Sequence, residues 1–503
     1  MEYRREAHEP LLSVASLLFR ALTEEGIRYG VFKSSRNTGE AVFGMQDMDI
    51  LIAREDYRSF CRIVSGFEAI RSVNHPSLTS LGREDWFIPD FDKCKYLHLD
   101  VHSSIRLGGK FGKRHRLYDY ADIQIWRELS FGDCSIPVVS SMDEARITLS
   151  RIAFRTRSLG FGAWARLQGT WKTEIDELLF TPGGSNVQTV SFTFGRENLR
   201  CHVKKDGSDL WVNRQELANL RRVIREANAA PALSILADWL RNTVNGARYL
   251  GSRFVNRLFP GTSIDRRCPV TGGLIVAIVG PDGMGKSTQV KRMRDIYGFK
   301  FSCLGLYLGT GDGEGWWLRR LIRLVYIRRR SKMRNMFLAE ESPGEGKGRE
   351  RPPSIRKRVG SRFLELWGML IALERYNTVR KARRKAACGF MVFCDRWPQS
   401  LAHGFLDGPT KQHGSRPSWI RKWELSLYDK MNRFRPDVTI QLVADYAVSA
   451  ARKPGELQHD EFQKRIDLMT ALRKADPQIQ VVDAGNDLDS VSRSLFKLIW
   501  EKL

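Results

Sequence analysis

The stretch from Gly272 to Thr288, GGLIVAIVGPDGMGKST, constrains the fold of this chain more than its composition does. Its apolar run Leu274–Val279 is short, rich in β-branched residues and closed by Gly-Pro, which predicts a buried strand rather than a helix. A glycine, four further residues and the triplet Gly-Lys-Ser then follow, from Gly280 to Ser287. In a strand-then-helix context, this spacing is the pattern of a phosphate-binding loop.

The residue types of this loop suit the phosphates of a nucleotide. Glycines let backbone N–H groups turn inward around an anion, and the following helix points the positive end of its dipole at it. Lys286 is predicted to reach the β- and γ-phosphates, and Ser287 to offer its hydroxyl to Mg²⁺. We therefore expect ATP and Mg²⁺ as cofactors, held by these loop residues: Gly280, Asp282, Gly283, Gly285, Lys286, Ser287 and Thr288.

The composition is that of a large globular chain with an excess of basic residues. Its 503 residues suggest roughly three domains, and the hydrophobic content of 42% is typical of a globular protein. The net charge of +25 favours an anionic partner, either a nucleotide, a nucleic acid or a membrane surface. The 8 cysteines include no Cys-x-x-Cys pair, which favours reduced thiols over a disulfide framework or a zinc site.

Neither a targeting segment nor a membrane span is predicted. The N-terminal residues MEYRREAHEP are charged and lack the apolar core of a signal peptide. No apolar run approaches the length needed to span a bilayer. We expect a cytoplasmic protein, and attachment to the periphery of a membrane is left open.

Three carboxylates stand on two predicted strands in the N-terminal part of the chain. Alternation along 47–52 places Asp47 and Asp49 on one face, and alternation along 96–102 places Asp100 on a face of a second strand. Carboxylates converging from two strands can hold the divalent cations that accompany a nucleoside triphosphate. We therefore predict all three as metal ligands.

This arrangement resembles the polymerase-β-type nucleotidyltransferase superfamily over residues 1–110. That family has a small-residue pair, then Asp-hydrophobic-Asp, then a third Asp on a later strand, and Ser34-Ser35 stand here where it usually has Gly-Ser or Gly-Gly. The resemblance implies an N-terminal α+β domain. Three interpretations stay open: active transfer, a family fold whose activity has lapsed, and a surface turn that contains the Asp-Met-Asp sequence.

Two histidines flank Asp100 on the same predicted strand. His98 and His102 share its face if the strand is regular, so these three side chains could form a metal site. No fourth ligand is evident in the sequence. We therefore expect a pair of half-exposed strand histidines.

The most basic stretch, 319–358, holds fourteen Lys or Arg residues against four Glu. It falls in a predicted insertion, residues 313–360. Three interpretations stay open: contact with an anionic membrane surface, contact with nucleic acid or another phosphate-rich ligand, and a solvated lid.

An acidic and a basic residue directly follow a second predicted strand, the apolar run 389–394. Asp395 and Arg396 come directly after it, and the carboxyl ends of strands in an α/β sheet face the ligand crevice. We expect both residues beside the phosphate-binding loop. An acid there can hold Mg²⁺ through water, and an arginine can clamp a phosphate with two hydrogen bonds.

Three segments together resemble thymidylate kinase: the loop GPDGMGKST, the triplet Asp395-Arg396-Trp397, and Glu374-Arg375 on the preceding helix. The resemblance spans residues 272–503, apart from the basic insertion. The family's Ser-x-x-Ala-Tyr-Gln segment, which cups thymine, is replaced here by SLAHGFLDGP, so the sequence does not support a thymine pocket.

The resemblance implies a role for each matching residue. Arg375 and Arg396 would contact the acceptor, Asp282 would face the acceptor sugar, and a lid would close through Arg452 and Lys453. The implied catalytic residues are Lys286, Asp395, Arg396 and Arg452, and the implied substrate-binding residues are Asp282, Arg375, Arg396 and Lys453.

The sequence as a whole predicts an α/β protein of three parts. These are an N-terminal α+β nucleotidyltransferase-like domain (1–175), a helical connector with a small β insertion (176–262), and a P-loop kinase domain with a parallel sheet flanked by helices (263–503). The predicted function is ATP- and Mg²⁺-dependent phosphotransfer to a nucleotide or another phosphorylated small molecule. Two alternatives are nucleotidyl transfer with the kinase half as a nucleotide sensor, and a nucleotide-gated module that docks on membrane or nucleic acid in polysaccharide-related machinery. A homodimer is compatible with the sequence.

Overall fold

The computed structural model forms two compact units, one within residues 1–271 and one spanning Gly272–Lys502. The predicted three-part division of the chain stays a prediction. The structure describes residues 11–78, 82–109, 111–155, 163–181, 183–228, 232–258, 267–309, 355–410, 418–454 and 458–503.

The N-terminal unit contains fourteen strands and seven helices within the described ranges. The strands are β1 (Tyr29–Val31), β2 (Asp47–Ile52), β3 (Ile70–Val73), β4 (Arg83–Asp90), β5 (Lys95–His102), β6 (Ile105–Gly109), β7 (Gly112–Tyr118), β8 (Trp126–Phe131), β9 (Cys134–Val139), β10 (Trp164–Arg166), β11 (Val187–Phe194), β12 (Glu197–Asp206), β13 (Asp209–Asn213) and β14 (Cys268–Pro269). The helices are α1 (Ser13–Glu24), α2 (Thr38–Val42), α3 (Tyr57–Gly66), α4 (Ser141–Arg155), α5 (Thr170–Leu179), α6 (Arg214–Ala227) and α7 (Ala232–Leu258).

The main sheet of this unit has eight strands in the order β14-β3-β4-β5-β2-β1-β9-β8. The pairs β2–β5 and β1–β9 are parallel, and the other neighbours are antiparallel. Helix α1 buries Leu18, Phe19 and Leu22 in the core on this sheet, as its helical spacing predicts. The parallel β2–β5 pair sets Asp49 directly opposite Asp100.

Two smaller sheets complete the N-terminal unit. One is antiparallel, in the order β10-β13-β12-β11. Its strands β11, β12 and β13 lie in the segment for which the sequence predicts a small β insertion (176–262), whereas β10 precedes that segment. Strands β6 and β7 form a hairpin where the glycine-rich, basic sequence 106–116 predicts a loop. The pairing has two register shifts, and glycines at both strand ends let the chain turn tightly.

The described part of the C-terminal unit has five strands, β15 (Leu274–Val279), β16 (Cys303–Tyr307), β17 (Met391–Asp395), β18 (Val438–Val443) and β19 (Gln480–Asp483). Its described helices are α8 (Lys286–Gly298), α9 (Ile355–Ala387), α10 (Trp419–Asn432), α11 (Tyr446–Arg452), α12 (His459–Ala475) and α13 (Leu488–Trp500).

All five strands are parallel, in the order β16-β17-β15-β18-β19. Residues 274–278 of the central strand β15 are at most 5% exposed. A continuous apolar strand is what a parallel sheet covered on both faces requires, because neither face meets water. This α/β unit with a parallel sheet and flanking helices is the fold that the sequence predicts for the C-terminal half.

The basic stretch 319–358 falls almost wholly outside the described residues, and the three interpretations of it stay predictions. Where the structure describes the chain, none of the helices combines the length and the hydropathy that crossing a lipid bilayer requires.

Candidate functional site

The phosphate-binding loop lies between β15 and α8, as its sequence predicts. Gly283 has a φ of +83°, and a Cβ there would lie 2.7 Å from Ser449 Oγ. Gly285 has a φ of +80°, and a Cβ there would meet no described atom within 4 Å. Gly285 is the N-cap of α8 and no side chain caps that end, so the first N–H groups of the helix have no side-chain acceptor there. The loop therefore offers an anion both room and donors.

Lys286 is folded back onto its own loop. Its Nζ donates to the carbonyl of Pro281 at 2.6 Å and lies 3.6 Å from Asp282 Oδ1. Burial lowers the pKa of Lys286 to about 8, Arg396 adds to this effect, and Asp282 opposes it. An anion placed beside this ammonium would be its natural partner, because the side chain is only 5% exposed.

Ser287 and Asp395 meet at the carboxyl ends of β15 and β17. The Ser287 hydroxyl donates to Asp395 Oδ2. The other oxygen, Asp395 Oδ1, is buried and accepts no hydrogen bond from the described residues. A hydroxyl and a carboxylate with one unused oxygen are donors that Mg²⁺ prefers. These two residues therefore fit the predicted Mg²⁺ site.

Asp282 is the anion at the centre of the loop. Arg396 Nη2 and Arg465 Nη1 both donate to its carboxylate, the second at 2.5 Å. Burial tends to raise the pKa of Asp282, but Arg396, Lys286 and Arg465 outweigh burial and lower it to about 2. Asp282 is thus ionised and holds three cations in place. The sequence did not single out Arg465, whose position on α12 carries no motif.

Arg396 directly follows β17 and has a φ of +76°, which is strained for a residue with a Cβ. Besides Asp282, it donates to Asp407 Oδ2 at 3.3 Å. Burial alone would lower its pKa, but Asp407 and Asp282 raise it above the ordinary value for arginine. The guanidinium is therefore fixed at the loop by two carboxylates, beside the P-loop as predicted.

Asp407 links Arg396 to Arg375. Arg375 Nη2 donates to Asp407 Oδ1 at 2.7 Å, and Arg375 Nη1 donates to the Asp407 carbonyl at 2.8 Å. Its Nε donates to the Leu308 carbonyl at 2.8 Å, and Nη1 also reaches the Tyr428 hydroxyl at 2.6 Å. Arg375 thus makes all these bonds within the protein, and its predicted contact with an acceptor stays a prediction.

Three other predicted residues lie at the edges of the site. Thr288 is exposed on the first turn of α8. Arg452, at the end of α11, donates from Nη2 to the Ala484 carbonyl at 2.9 Å, and Lys453 follows it at the surface. Their predicted roles in the loop and in a lid stay predictions.

A cavity of about 240 Å³ opens next to the loop and Arg396. Its walls combine apolar side chains with a few polar groups, including the buried amide of Gln441. The residues that bear most on its chemistry are Arg396, Asp407, Thr439, Gln441, Met469 and Leu472. Such a mixture suits the body of a small organic ligand.

The N-terminal unit brings two of its three predicted carboxylates together. Potential ligand atoms of Asp49, Asp100 and His102 all lie within 4.8 Å of one another. Asp47, on the same strand, is half-buried and is not part of this group. Lys33 Nζ lies 2.7 Å from Asp49 Oδ2. Burial tends to raise the pKa of Asp49, but Lys33 and His102 outweigh burial and hold this pKa below its ordinary value.

The two histidines of β5 are buried, so the expectation of half-exposed histidines is wrong. His98 is 1% and His102 6% exposed. His98 Nε2 pairs with Asp85 Oδ1 at 2.9 Å and its ring stacks on Phe87. Sequence alternation alone could not show this burial, because it depends on partners from other strands and loops: Asp85 and Phe87 for His98, and Phe32 for His102.

The sheet and its loop define the C-terminal unit as an α/β domain of the P-loop class. An Escherichia coli K12 protein, uncharacterized ATP-binding protein YghR, is 30% identical over 226 residues, which are 42% of this chain and 80% of YghR. A second protein of the same organism, uncharacterized ATP-binding protein YghS, is 29% identical over 232 residues, which are 45% of this chain and 92% of YghS. The chain belongs to the family of YghR.

Solved structures similar to the chain include thymidylate kinases from Candida albicans and Ehrlichia chaffeensis. Each is 16% identical, and each match covers 45% of this chain. The match covers 91% of the Candida albicans chain with a TM-score of 0.27, and 99% of the Ehrlichia chaffeensis chain with a TM-score of 0.24. No protein-family model matches the chain.

Proposed function

We propose that the C-terminal unit is an ATP- and Mg²⁺-dependent phosphotransferase of the nucleoside-monophosphate kinase type. The observation that carries the proposal is the meeting of Ser287 with Asp395, whose second oxygen is left without a described donor beside a complete phosphate-binding loop. The relatives YghR and YghS are named as ATP-binding proteins, in agreement with a nucleotide at this loop.

Binding of ATP exchanges internal contacts for contacts with the donor phosphates. Lys286 releases the Pro281 carbonyl and turns to the β- and γ-phosphates, while the N–H groups at the start of α8 take the β-phosphate. Ser287 and Asp395 would hold Mg²⁺, which neutralises charge on the transferring phosphoryl group. In phosphoryl transfer the protein mainly positions groups and stabilises charge.

The acceptor would be a phosphorylated small molecule. Arg396 can turn from Asp282 or Asp407 to an acceptor phosphate, because each contact is an exchangeable ion pair. The adjacent cavity can take the rest of the acceptor, with the Gln441 amide as its polar recognition group. Arg452 and Lys453 are proposed to close over the reacting groups. Because the segment that cups thymine is absent, we expect thymidine monophosphate to be a poor acceptor.

The test is turnover of ATP by the full chain with a panel of nucleoside and sugar monophosphates, with and without Mg²⁺. We expect Lys286→Met to abolish both transfer and tight ATP binding while keeping the apolar stem of the side chain. Lys291→Met is the matched control, since Lys291 is exposed on the same helix. Turnover at the wild-type rate in Lys286→Met would contradict the proposal. An ATP affinity that is the same in the wild type, Lys286→Met and Lys291→Met would contradict it as well.

Nucleotidyl transfer in the N-terminal unit is the second candidate, because the strand register sets Asp49 directly opposite Asp100. It predicts that Asp49→Asn removes transfer of labelled nucleotide and leaves ATP turnover at the C-terminal unit intact. If the wild-type chain transfers no nucleotide to any acceptor tested, the second candidate fails. Docking on membrane or nucleic acid through 319–358 stays a prediction.

A further inference from the structure

The carboxylates of the N-terminal unit do not form the three-Asp set that the nucleotidyltransferase resemblance implies. The close group is Asp49, Asp100 and His102, with two oxygens and one imidazole nitrogen as donors. It arises from strand register, because β2 and β5 run parallel and pair Asp49 with Asp100 and Leu51 with His102. Asp47 lies two residues earlier on β2, opposite His98.

His102 supplies an independent indication of a ligand at this group. The side chain is 6% exposed, yet its Nε2 makes no hydrogen bond to any described residue. Asp100 Oδ1 lies only 3.0 Å from Nε2, and Asp49 Oδ1 lies 3.8 Å away. Because these two atoms are so close without forming a hydrogen bond, the N–H or lone pair of Nε2 is not directed at Asp100 Oδ1. A buried imidazole nitrogen left in this way lacks the partner that buried polar groups normally have.

The surrounding charges decide which kind of cation can bind. Lys33 already pairs with Asp49 at 2.7 Å, and Arg83 Nε pairs with Asp100 Oδ1 at 2.6 Å, so the two carboxylates are neutralised before any ion arrives. An ion held by charge alone, such as Mg²⁺, gains little here. An ion that also bonds firmly to an imidazole nitrogen keeps that part of its affinity.

We propose that Asp49, Asp100 and His102 bind one divalent ion of the zinc class, in competition with Lys33 for the Asp49 carboxylate and with Arg83 for the Asp100 carboxylate. The donor set of two carboxylates and one histidine leaves at least one position for water or an anion. Lys33 acts as the counter-ion in the absence of metal and must move from Asp49 when the ion binds. This site is separate in its chemistry from the proposed phosphotransferase and does not depend on it.

Direct binding tests the proposal on the full chain, stripped of metal and without ATP. Zn²⁺ and Mg²⁺ affinities would be measured by calorimetry and by competition with a chromophoric chelator. We expect Zn²⁺ to bind far more tightly than Mg²⁺, His102→Ala to weaken Zn²⁺ about tenfold or more, and Lys33→Met to tighten it about tenfold. His202→Ala, at a partly exposed histidine on β12, should leave the affinity unchanged.

Two further measurements distinguish the proposed ligands, Asp49, Asp100 and His102, from the three aspartates that the resemblance implies. Asp47→Asn should leave the Zn²⁺ affinity unchanged. Co²⁺ bound to the wild-type chain should show the visible absorption of a site of low coordination number with a nitrogen ligand. The Co²⁺ spectrum does not depend on any variant folding. Preference for Mg²⁺, loss of binding in Asp47→Asn, or Zn²⁺ affinity that is equal in wild type, Lys33→Met and His102→Ala would each overturn the proposal.

Discussion

Replacing Asp407 by asparagine tests whether this residue holds the proposed phosphotransferase site together. The Arg375 side chain is 4% and the Asp407 side chain 9% exposed, so the ion pair between them is shielded from water. Asparagine keeps an acceptor oxygen and the shape of the side chain but removes the charge. Arg375 would then remain buried without its carboxylate.

The expected cost follows from this burial. Removing one partner of a buried ion pair typically costs about 3–5 kcal/mol. Because the asparagine oxygen and the Asp407 carbonyl can still accept from Arg375, we expect the lower end, about 3 kcal/mol. The Arg396–Asp407 pair adds little, since Arg396 is 21% exposed and the distance is 3.3 Å.

The assay is a urea titration in which unfolding is monitored by hydrogen exchange and mass spectrometry. Peptides from β15 and β17 report on the C-terminal unit. With a denaturant slope of about 3 kcal/mol per molar, the midpoint should fall by about 1 M. The matched control is Asp489→Asn, because Asp489 pairs with Arg292 but is 68% exposed. We expect the control to change stability by less than about 1 kcal/mol. If Asp407→Asn behaves like the control, Asp407 does not hold Arg375 in the way the contacts indicate.

Three further outcomes are expected. Gly283→Ala should weaken ATP binding about tenfold, because its Cβ would press on Ser449 Oγ and distort the loop, and unchanged binding by calorimetry would refute this. ATP affinity should be constant below pH 8 and fall above it. Lys286, with its pKa of about 8, loses above that pH the positive charge that the ATP phosphates contact, and Lys286→Arg should show no such fall. Arg421→Met should destabilise the C-terminal unit by about 3 kcal/mol, because it leaves Glu424, which is 0% exposed, without its cation, and a cost near zero in urea would contradict the argument.

The sequence predicted those parts of the C-terminal unit that depend on local patterns. The apolar run of β15, the loop after it and the strand ending at Asp395 each have a recognisable pattern over fewer than ten residues, and the structure has all three. The pairing of β15 with β17 then brings Ser287 to Asp395, as strand-end logic predicts.

The residues that sequence reasoning missed are those placed by distant contacts. Asp407 lies in a loop where both Leu406 and Asp407 have positive φ, and nothing in the sequence distinguishes it from a surface turn. Arg465 is one of several basic residues on α12, and only the packing of that helix takes it to Asp282. The sequence pattern does point to His102, but the burial of this side chain depends on chain segments that a single strand pattern does not include.

The net charge of +25 has to be interpreted through these ion pairs. In the phosphate-binding loop, Asp282 already engages Lys286, Arg396 and Arg465, and in the N-terminal unit Asp49 engages Lys33. Each of these cations already has an internal carboxylate partner, although Asp282 is shared by three of them. An anionic ligand therefore gains the difference between its own contacts and the ion pairs it displaces. Geometry rather than total charge therefore sets selectivity at both sites. A phosphate ligand at the loop, or a metal ion at Asp49, binds well when its own contacts replace those that the internal ion pairs give up.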